Sequence, residues 1–215
     1  LGIRGCFEEG YPAGETVRGS YINGLYDRVP MVHAEMAYGF PTEQDKQPRI
    51  MDTQTVLVML DGQRMLLNHG QYKDYERILD YQTGESTRRF TFITESGKSA
   101  HIEFKRMASF TRKALMVYRI SVVYDGEIEL ISILDTDIEN YSNPDDPRTG
   151  QGHTRLMRLK QLNATNSRTC ALMETSKSQL EQAVCVDHII HTKQTFDVET
   201  QIESGKAYTK IKSSQ

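Results

Sequence analysis

Two short segments near the start of the 215-residue chain concentrate the residue types that a polar ligand requires. Residues 2–12 read GIRGCFEEGYP and residues 19–27 read GSYINGLYD, mixing glycines with Arg, Glu, Asn, Tyr and Asp. Amides suit hydroxyl groups and aromatic rings suit ring faces, and functional groups concentrate on loops held by a rigid scaffold. The same residues also make tight turns with capping polar groups and packed aromatics. From the residues alone both readings stay open.

The other chemistry-bearing clusters are weaker. Paired carboxylates occur at Glu8-Glu9, Asp135/Asp137 and Asp145-Asp146. Cleavage of a glycosidic bond uses two carboxylates that flank it. Adjacent residues on an extended chain point apart, so these pairs read as solvated charge or loop caps. His188 and His191 lie three apart, which on a strand means opposite faces and no shared ion. His101 and Glu103 share one strand face and are the candidate acid–base couple. No serine stands in a GxSxG elbow, and there is no Walker loop, Rossmann fingerprint, CxxC or HExxH. The three cysteines are Cys6, Cys170 and Cys185. An odd number at long spacing points to the reducing cytoplasm, so Cys170 and Cys185 are expected to pack rather than bond.

The elements that must hold these residues are strands. Thr53–Leu60 and Arg64–Leu67 flank Asp61-Gly62, and Arg77–Tyr81 and Ser86–Thr94 flank Thr83-Gly84. Ser96-Gly97 leads into Ser99–Arg106, where Ala100, Ile102 and Phe104 alternate with polar residues at the period of a half-buried strand. Leu115–Tyr124 and Glu127–Leu134 flank Asp125-Gly126, which reads as the clearest hairpin. Further strands are expected at Thr154–Leu162, Thr169–Glu174, Ala183–His191, Gln194–Glu203 and Ala207–Lys212. Asn140–Gly152 reads as a polar excursion, and the glycine- and proline-rich first fifty residues as loops and short edge strands. The fold class is all-β, a large antiparallel β-sandwich occupying 1–215 as one domain.

Composition narrows the partners. Lys+Arg 26 against Asp+Glu 29 gives a net charge of -3, without the basic footprint of a nucleic-acid binder. The densest basic spots, Arg88-Arg89 and Arg155/Arg158/Lys160, alternate with apolar residues and read as solvated strand faces. Mean hydropathy is -0.55, and no stretch of about 18 apolar residues is present to form a membrane helix. The chain opens without a starting Met or a signal-peptide pattern, as expected of a piece of something longer.

The two opening segments resemble the start of glycoside hydrolase family 65, the maltose, trehalose, kojibiose and nigerose phosphorylases and related hydrolases. LGIRG at 1–5 is similar to the end of that family's GNGYLGxRG motif, FEEGYP stands at 7–12, and GSYINGLYD at 19–27. RILDYQTGESTRRFTF (77–92) and GKSAHIEFKRMASF (97–110) resemble later family segments. Arg49-Ile50-Met51-Asp52 departs from the Val-Asn-Leu-Pro stretch frequent there. The resemblance implies a supersandwich like that of galactose mutarotase, followed in full-length members by a catalytic α/α barrel. The general-acid glutamate and the phosphate site belong to that barrel, so no catalytic residue transfers to this chain and no metal or cofactor is implied. Inorganic phosphate would be the co-substrate if the parent is a phosphorylase. The implied partners are the barrel of the same polypeptide, a disaccharide bound by the full-length enzyme, and a second subunit in a homodimer. Nucleic acid and membrane are not among them. Arg4, Glu8, Glu9, Tyr21, Asn23 and Asp27 are the motif positions expected at the substrate rim or domain interface. A non-catalytic domain of this kind should expose an apolar patch where the barrel sits. Two alternatives are a sugar epimerase, with His101 and Glu103 facing a cleft, and a free-standing carbohydrate-binding module, with tyrosines in place of the absent Trp.

Overall fold

A computed structural model describes residues 2–4, 8–11, 19–31, 33, 35, 37–142 and 154–213. Among them there are sixteen strands and no helix. β1 (Gly2–Arg4) pairs with β2 (Gly19–Tyr21), and β3 (Asp27–Pro30) with β4 (Glu43–Lys46). β5 (Asp52–Leu60) and β6 (Gln63–Arg64) follow as a hairpin. β7 (Gln71–Asp80), β8 (Glu85–Ile93), β9 (Ser99–Ala108) and β10 (Met116–Val123) form a four-stranded meander. β11 (Ile128–Asp135) precedes a three-stranded meander of β12 (Met157–Thr165), β13 (Arg168–Thr175) and β14 (Glu181–Asp187). β15 (Phe196–Glu203) and β16 (Lys206–Ser213) complete a five-stranded sheet of order β15-β16-β11-β5-β6. The all-β antiparallel architecture is as expected, with the strand boundaries mostly within a few residues. Most of the polar excursion, from 143 on, lies outside the described residues.

The five-stranded sheet is the common layer. Ile128, Leu130, Ser132 and Leu134 of β11 point to one face, following the period of two. Toward one end that face joins Val58, Leu60, Phe90, Phe92, Ile102 and Phe104 under the four-stranded sheet. Toward the other it joins Met51, Met157, Ala171, Met173 and Ala207 under the three-stranded sheet. Each large side chain fully buried in this way stabilises the fold by about 1.5–3 kcal/mol.

Turn glycines set the connections. Gly84 has φ +72°, and a Cβ there would meet the Phe110 ring at 2.9 Å, so the β7–β8 turn requires glycine twice over. Asp125-Gly126 corrects the sequence reading. β10 pairs with β9, and β11 pairs with β5 and β16, so the two strands flanking Asp125-Gly126 belong to different sheets. The dipeptide is a corner between layers. Asp61 makes the corner, accepting hydrogen bonds from Glu127 N (2.8 Å) and the Tyr124 hydroxyl (2.7 Å) and pairing with Lys98. A Cβ on Gly126 would lie 2.5 Å from the Asp61 carboxylate. A turn dipeptide marks a change of direction, while the partner strand is chosen by distant packing.

Two strands also differ. β7 begins six residues before the expected Arg77, extended by a bulge between Lys73 and Glu76. β14 ends at Asp187, so His188 and His191 follow the strand rather than alternate along it, and His188 Nδ1 lies 2.7 Å from Ser167 O.

Candidate functional site

The glycine-rich opening is anchored by buried charge. Residues 8–9 form a turn that lies against β5, with Val56 N donating to Glu8 O at 2.7 Å. The turn defeats the extended-chain expectation, because it points both neighbouring carboxylates at one guanidinium. Arg88 on β8 donates to Glu9 Oε1 (3.0 Å) and Glu8 Oε2 (2.8 Å), and also bonds Glu9 Oε2. Arg106 on β9 stands 3.4 Å from Glu8 Oε1. Exposures of 0 % for Glu9, 5 % for Glu8 and 3 % for Arg88 place the cluster inside the sandwich. Arg88 is therefore not a solvated strand residue, and Glu8-Glu9 is neither a solvated pair nor a loop cap. Two carboxylates against two guanidiniums leave no net charge, the condition under which buried ions are tolerated.

Aromatic groups complete the cluster. The Arg88 guanidinium lies over the Phe104 ring at 4.5 Å and the Phe90 ring at 5.5 Å. Burial works against its charge, but the hydrogen bonds and charges of Glu9 and Glu8 outweigh that and hold it protonated. Tyr11 donates to Glu9 Oε1 at 3.0 Å and accepts from Leu67 N at 3.0 Å. Burial, then the Glu9 charge, pushes the Tyr11 hydroxyl well above its usual range, so it stays neutral.

The second segment is held the same way. Asp27, buried on β3, accepts the backbone N–H groups of Ser176 (3.1 Å), Lys177 (3.0 Å) and Ser178 (2.8 Å), gathering the turn after β13. Gln54 donates to Gly19 O (3.0 Å) and Ser20 Oγ (2.9 Å), fixing β2 to β5. Tyr21 is half-buried and folds back over Gly19, while Asn23 is exposed in the turn before Leu25. Arg4 ends β1 opposite Gly19. The structure thus brings Glu8 and Glu9 together and leaves Asp27, Tyr21 and Asn23 apart from them. The missed member was Arg88. Its signal was in the sequence, since the period of two puts it on the face of Phe90 and Phe92.

The remaining clusters do not assemble chemistry. Asp135 pairs with Lys206 at 2.8 Å and Asp137 with Arg155 at 2.5 Å, so that carboxylate pair is divided between two cations. Asp145-Asp146 lies outside the described residues. His101 and Glu103 do share the outer face of β9, where His101 is exposed and its Nδ1 lies 3.0 Å from Thr91 Oγ1. Arg155, Arg158 and Lys160 are solvated as expected, each paired with a carboxylate. Among the described residues no three His, Cys, Asp or Glu side chains converge as metal ligands. No described helix is long and apolar enough to cross a membrane. Cys170 and Cys185 face each other across β13 and β14 and are joined by a disulfide. Direct cross-strand register brought together a pair that was expected only to pack. An open cleft of about 210 Å³ beside Gly10 and Tyr11 is lined by Thr55, Arg64 and the Asp135–Lys206 pair.

The family model described as glycosyl hydrolase family 65, N-terminal domain, matches residues 1–214. The chain belongs to glycosyl hydrolase family 65. Its relatives include an alpha,alpha-trehalose phosphorylase of Geobacillus stearothermophilus, 34% identical over 73% of this chain and 21% of the relative. Another, from Thermoanaerobacter brockii, is 26% identical over 94% of this chain and 27% of the relative. A kojibiose phosphorylase of Halothermothrix orenii is 30% identical over 60% of this chain. A solved structure described as a putative kojibiose phosphorylase from human microbiome superposes with a TM-score of 0.77 at 16% identity, covering 98% of this chain and 28% of that one. The family 65 chain therefore spans about a quarter of the length of these relatives, and the likeness in fold runs almost end to end. Within FEEGYP (7–12), Phe7 and Pro12 lie outside the described residues, and the two glutamates between them are the buried ions.

Proposed function

We propose that residues 1–215 are the non-catalytic N-terminal sandwich domain of a larger family 65 enzyme acting on α-linked glucose disaccharides by inverting phosphorolysis or hydrolysis. The observation that carries this is the family match over residues 1–214 in a chain spanning 21% and 27% of two trehalose phosphorylases. The site chemistry agrees with it. The buried carboxylates are neutralised by guanidiniums, and a general acid must instead be free to exchange a proton with substrate. In this reading Glu8, Glu9 and Asp27 fix the opening in place, and Arg4, Tyr21 and Asn23 contribute to the rim of the active site or the domain interface.

The domain packs on a catalytic barrel of the same polypeptide, helps to shape the rim of its active site, and contributes to a homodimer. Inorganic phosphate is the co-substrate if the enzyme is a phosphorylase. We place the enzyme in the cytoplasm. The Cys170–Cys185 bond weighs the other way, since reducing compartments keep thiols free; alkylation of the protein within intact cells decides between them. The functional test is to express the whole gene product and assay it on trehalose, kojibiose and maltose, with and without phosphate. Phosphate-dependent cleavage of one of them supports the phosphorylase form, and phosphate-independent cleavage the hydrolase form. No cleavage of any α-linked glucose disaccharide overturns the reading.

A further inference from the structure

The edge strand β7 carries a surface that the isolated fold leaves open. Every one of its ten residues except Glu76 is exposed, and its packing is almost entirely with β8. Register shows which side chains face the interior side. Tyr72 stands opposite Phe92, Arg77 opposite Arg88 and Leu79 opposite Ser86. The bulge between Lys73 and Glu76 adds one residue, so Tyr75 falls on the same side as Tyr72 although three positions away. The rings confirm it: Tyr75 stacks toward Phe90 at 6.1 Å and meets Tyr72 edge-on at 5.9 Å. Tyr72, Tyr75 and Leu79 thus extend the core face of the four-stranded sheet beyond what the opposite layer covers. Turn 8–11 covers Arg88 beside them, yet they remain 48 %, 40 % and 53 % exposed.

We propose that this row is the surface on which the remainder of the polypeptide packs. It rests on the reading that the chain is one domain of a longer enzyme, and it names the face used. Three observations favour that occupant. The row continues a core face, with exposed Arg77 between Tyr75 and Leu79, and a cluster of exposed rings and aliphatic groups beside a core marks an interaction site. It adjoins the anchored turn at residues 8–11, since Arg77 stands opposite Arg88, which binds Glu8 and Glu9. The relatives supply the necessary chain, since about three quarters of their length lies outside the matched part. A second copy is disfavoured as occupant, because the bulge and the left-handed Asp74 (φ 56°) interrupt the hydrogen-bonding edge that a strand-to-strand dimer needs.

Hydrogen–deuterium exchange tests this by comparing the 215-residue chain with the full-length enzyme. Covering the row slows amide exchange across residues 71–80 on the order of tenfold or more in the longer protein. Leu79→Asp, at a side chain more than half exposed, leaves the short chain folded with its melting temperature within a few degrees of the parent and abolishes that extra protection. Unchanged exchange at 71–80 with new protection elsewhere, for instance at 196–203, overturns the inference and leaves the domain reading intact. No protection anywhere overturns both. Protection at 71–80 that grows with the concentration of the short chain alone assigns the row to a second copy and overturns the inference.

Discussion

Replacing Arg88 by methionine removes the cation on which Glu8 and Glu9 converge. Methionine keeps much of the apolar stem over Phe90 and Phe104, so the loss falls mainly on charge. Glu9, with no exposure, loses both guanidinium hydrogen bonds, while Glu8 keeps Arg106 at 3.4 Å. Breaking a buried pair by removing one partner costs about 3–5 kcal/mol. The partial compensation at Glu8 argues for the lower part of that range, and the lost contact with the Phe104 face restores about 0.5–2 kcal/mol of cost. The expected destabilisation is therefore about 3–5 kcal/mol, a large part of the stability of a typical domain. Urea unfolding followed by tyrosine fluorescence measures it. Adding Glu9→Gln alone to Arg88→Met should recover part of the loss, because Glu8 and Arg106 then remain as a neutral pair. A cost below about 1 kcal/mol, the range of exposed pairs, would refute the buried-anchor account.

Three further outcomes are expected. Asp27→Ala removes the acceptor of three backbone N–H groups and should lower stability by about 1–3 kcal/mol, with faster amide exchange at 176–178 as the diagnostic. Gly126→Ala places a Cβ 2.5 Å from both Asp61 Oδ1 and the Tyr124 ring and should cost about 1–3 kcal/mol in urea unfolding, whereas Gly97→Ala has open space but a left-handed φ of +81° and should cost less. Asp61 titrates at about 2, held down first by its bond to Lys98 and then by Tyr124. A depressed carboxylate stabilises the fold fully above its unfolded value near 4 and loses that contribution as pH falls through about 2. The stability difference between parent and Asp61→Asn should therefore shrink between pH 4 and pH 2, and an NMR titration of Asp61 with a midpoint near 4 would count against the corner geometry.

Local rules made most of the strands legible. Residues 99–104 alternate cleanly because one face of β9 is core and the other faces outward, and Thr83-Gly84 joins strands that do pair. Asp125-Gly126 misled because β10 stays with its neighbour β9, while β11 finds partners some 70–80 residues away on either side, at β5 and β16. The candidate site was legible as a segment but not as a geometry. Nothing in FEEGYP says that its two glutamates meet an arginine 79 and 80 residues later. Arg88 sits in a strand whose inward neighbours are Phe90 and Phe92, and a lone charge on such a face implies a buried partner. The disulfide was missed for a related reason. Compartment argues for free thiols at Cys170 and Cys185, whereas the register of β13 and β14 sets them directly opposite.

The most direct measurement is turnover by the 215-residue chain itself. Purified and shown to be folded, it is incubated at high concentration with trehalose, kojibiose or maltose and inorganic phosphate, and glucose release is followed. The account predicts no release above the rate of buffer alone with any of the three. Phosphate-dependent release that tracks the folded chain through purification would contradict it, because the chain would then hold a catalytic centre of its own.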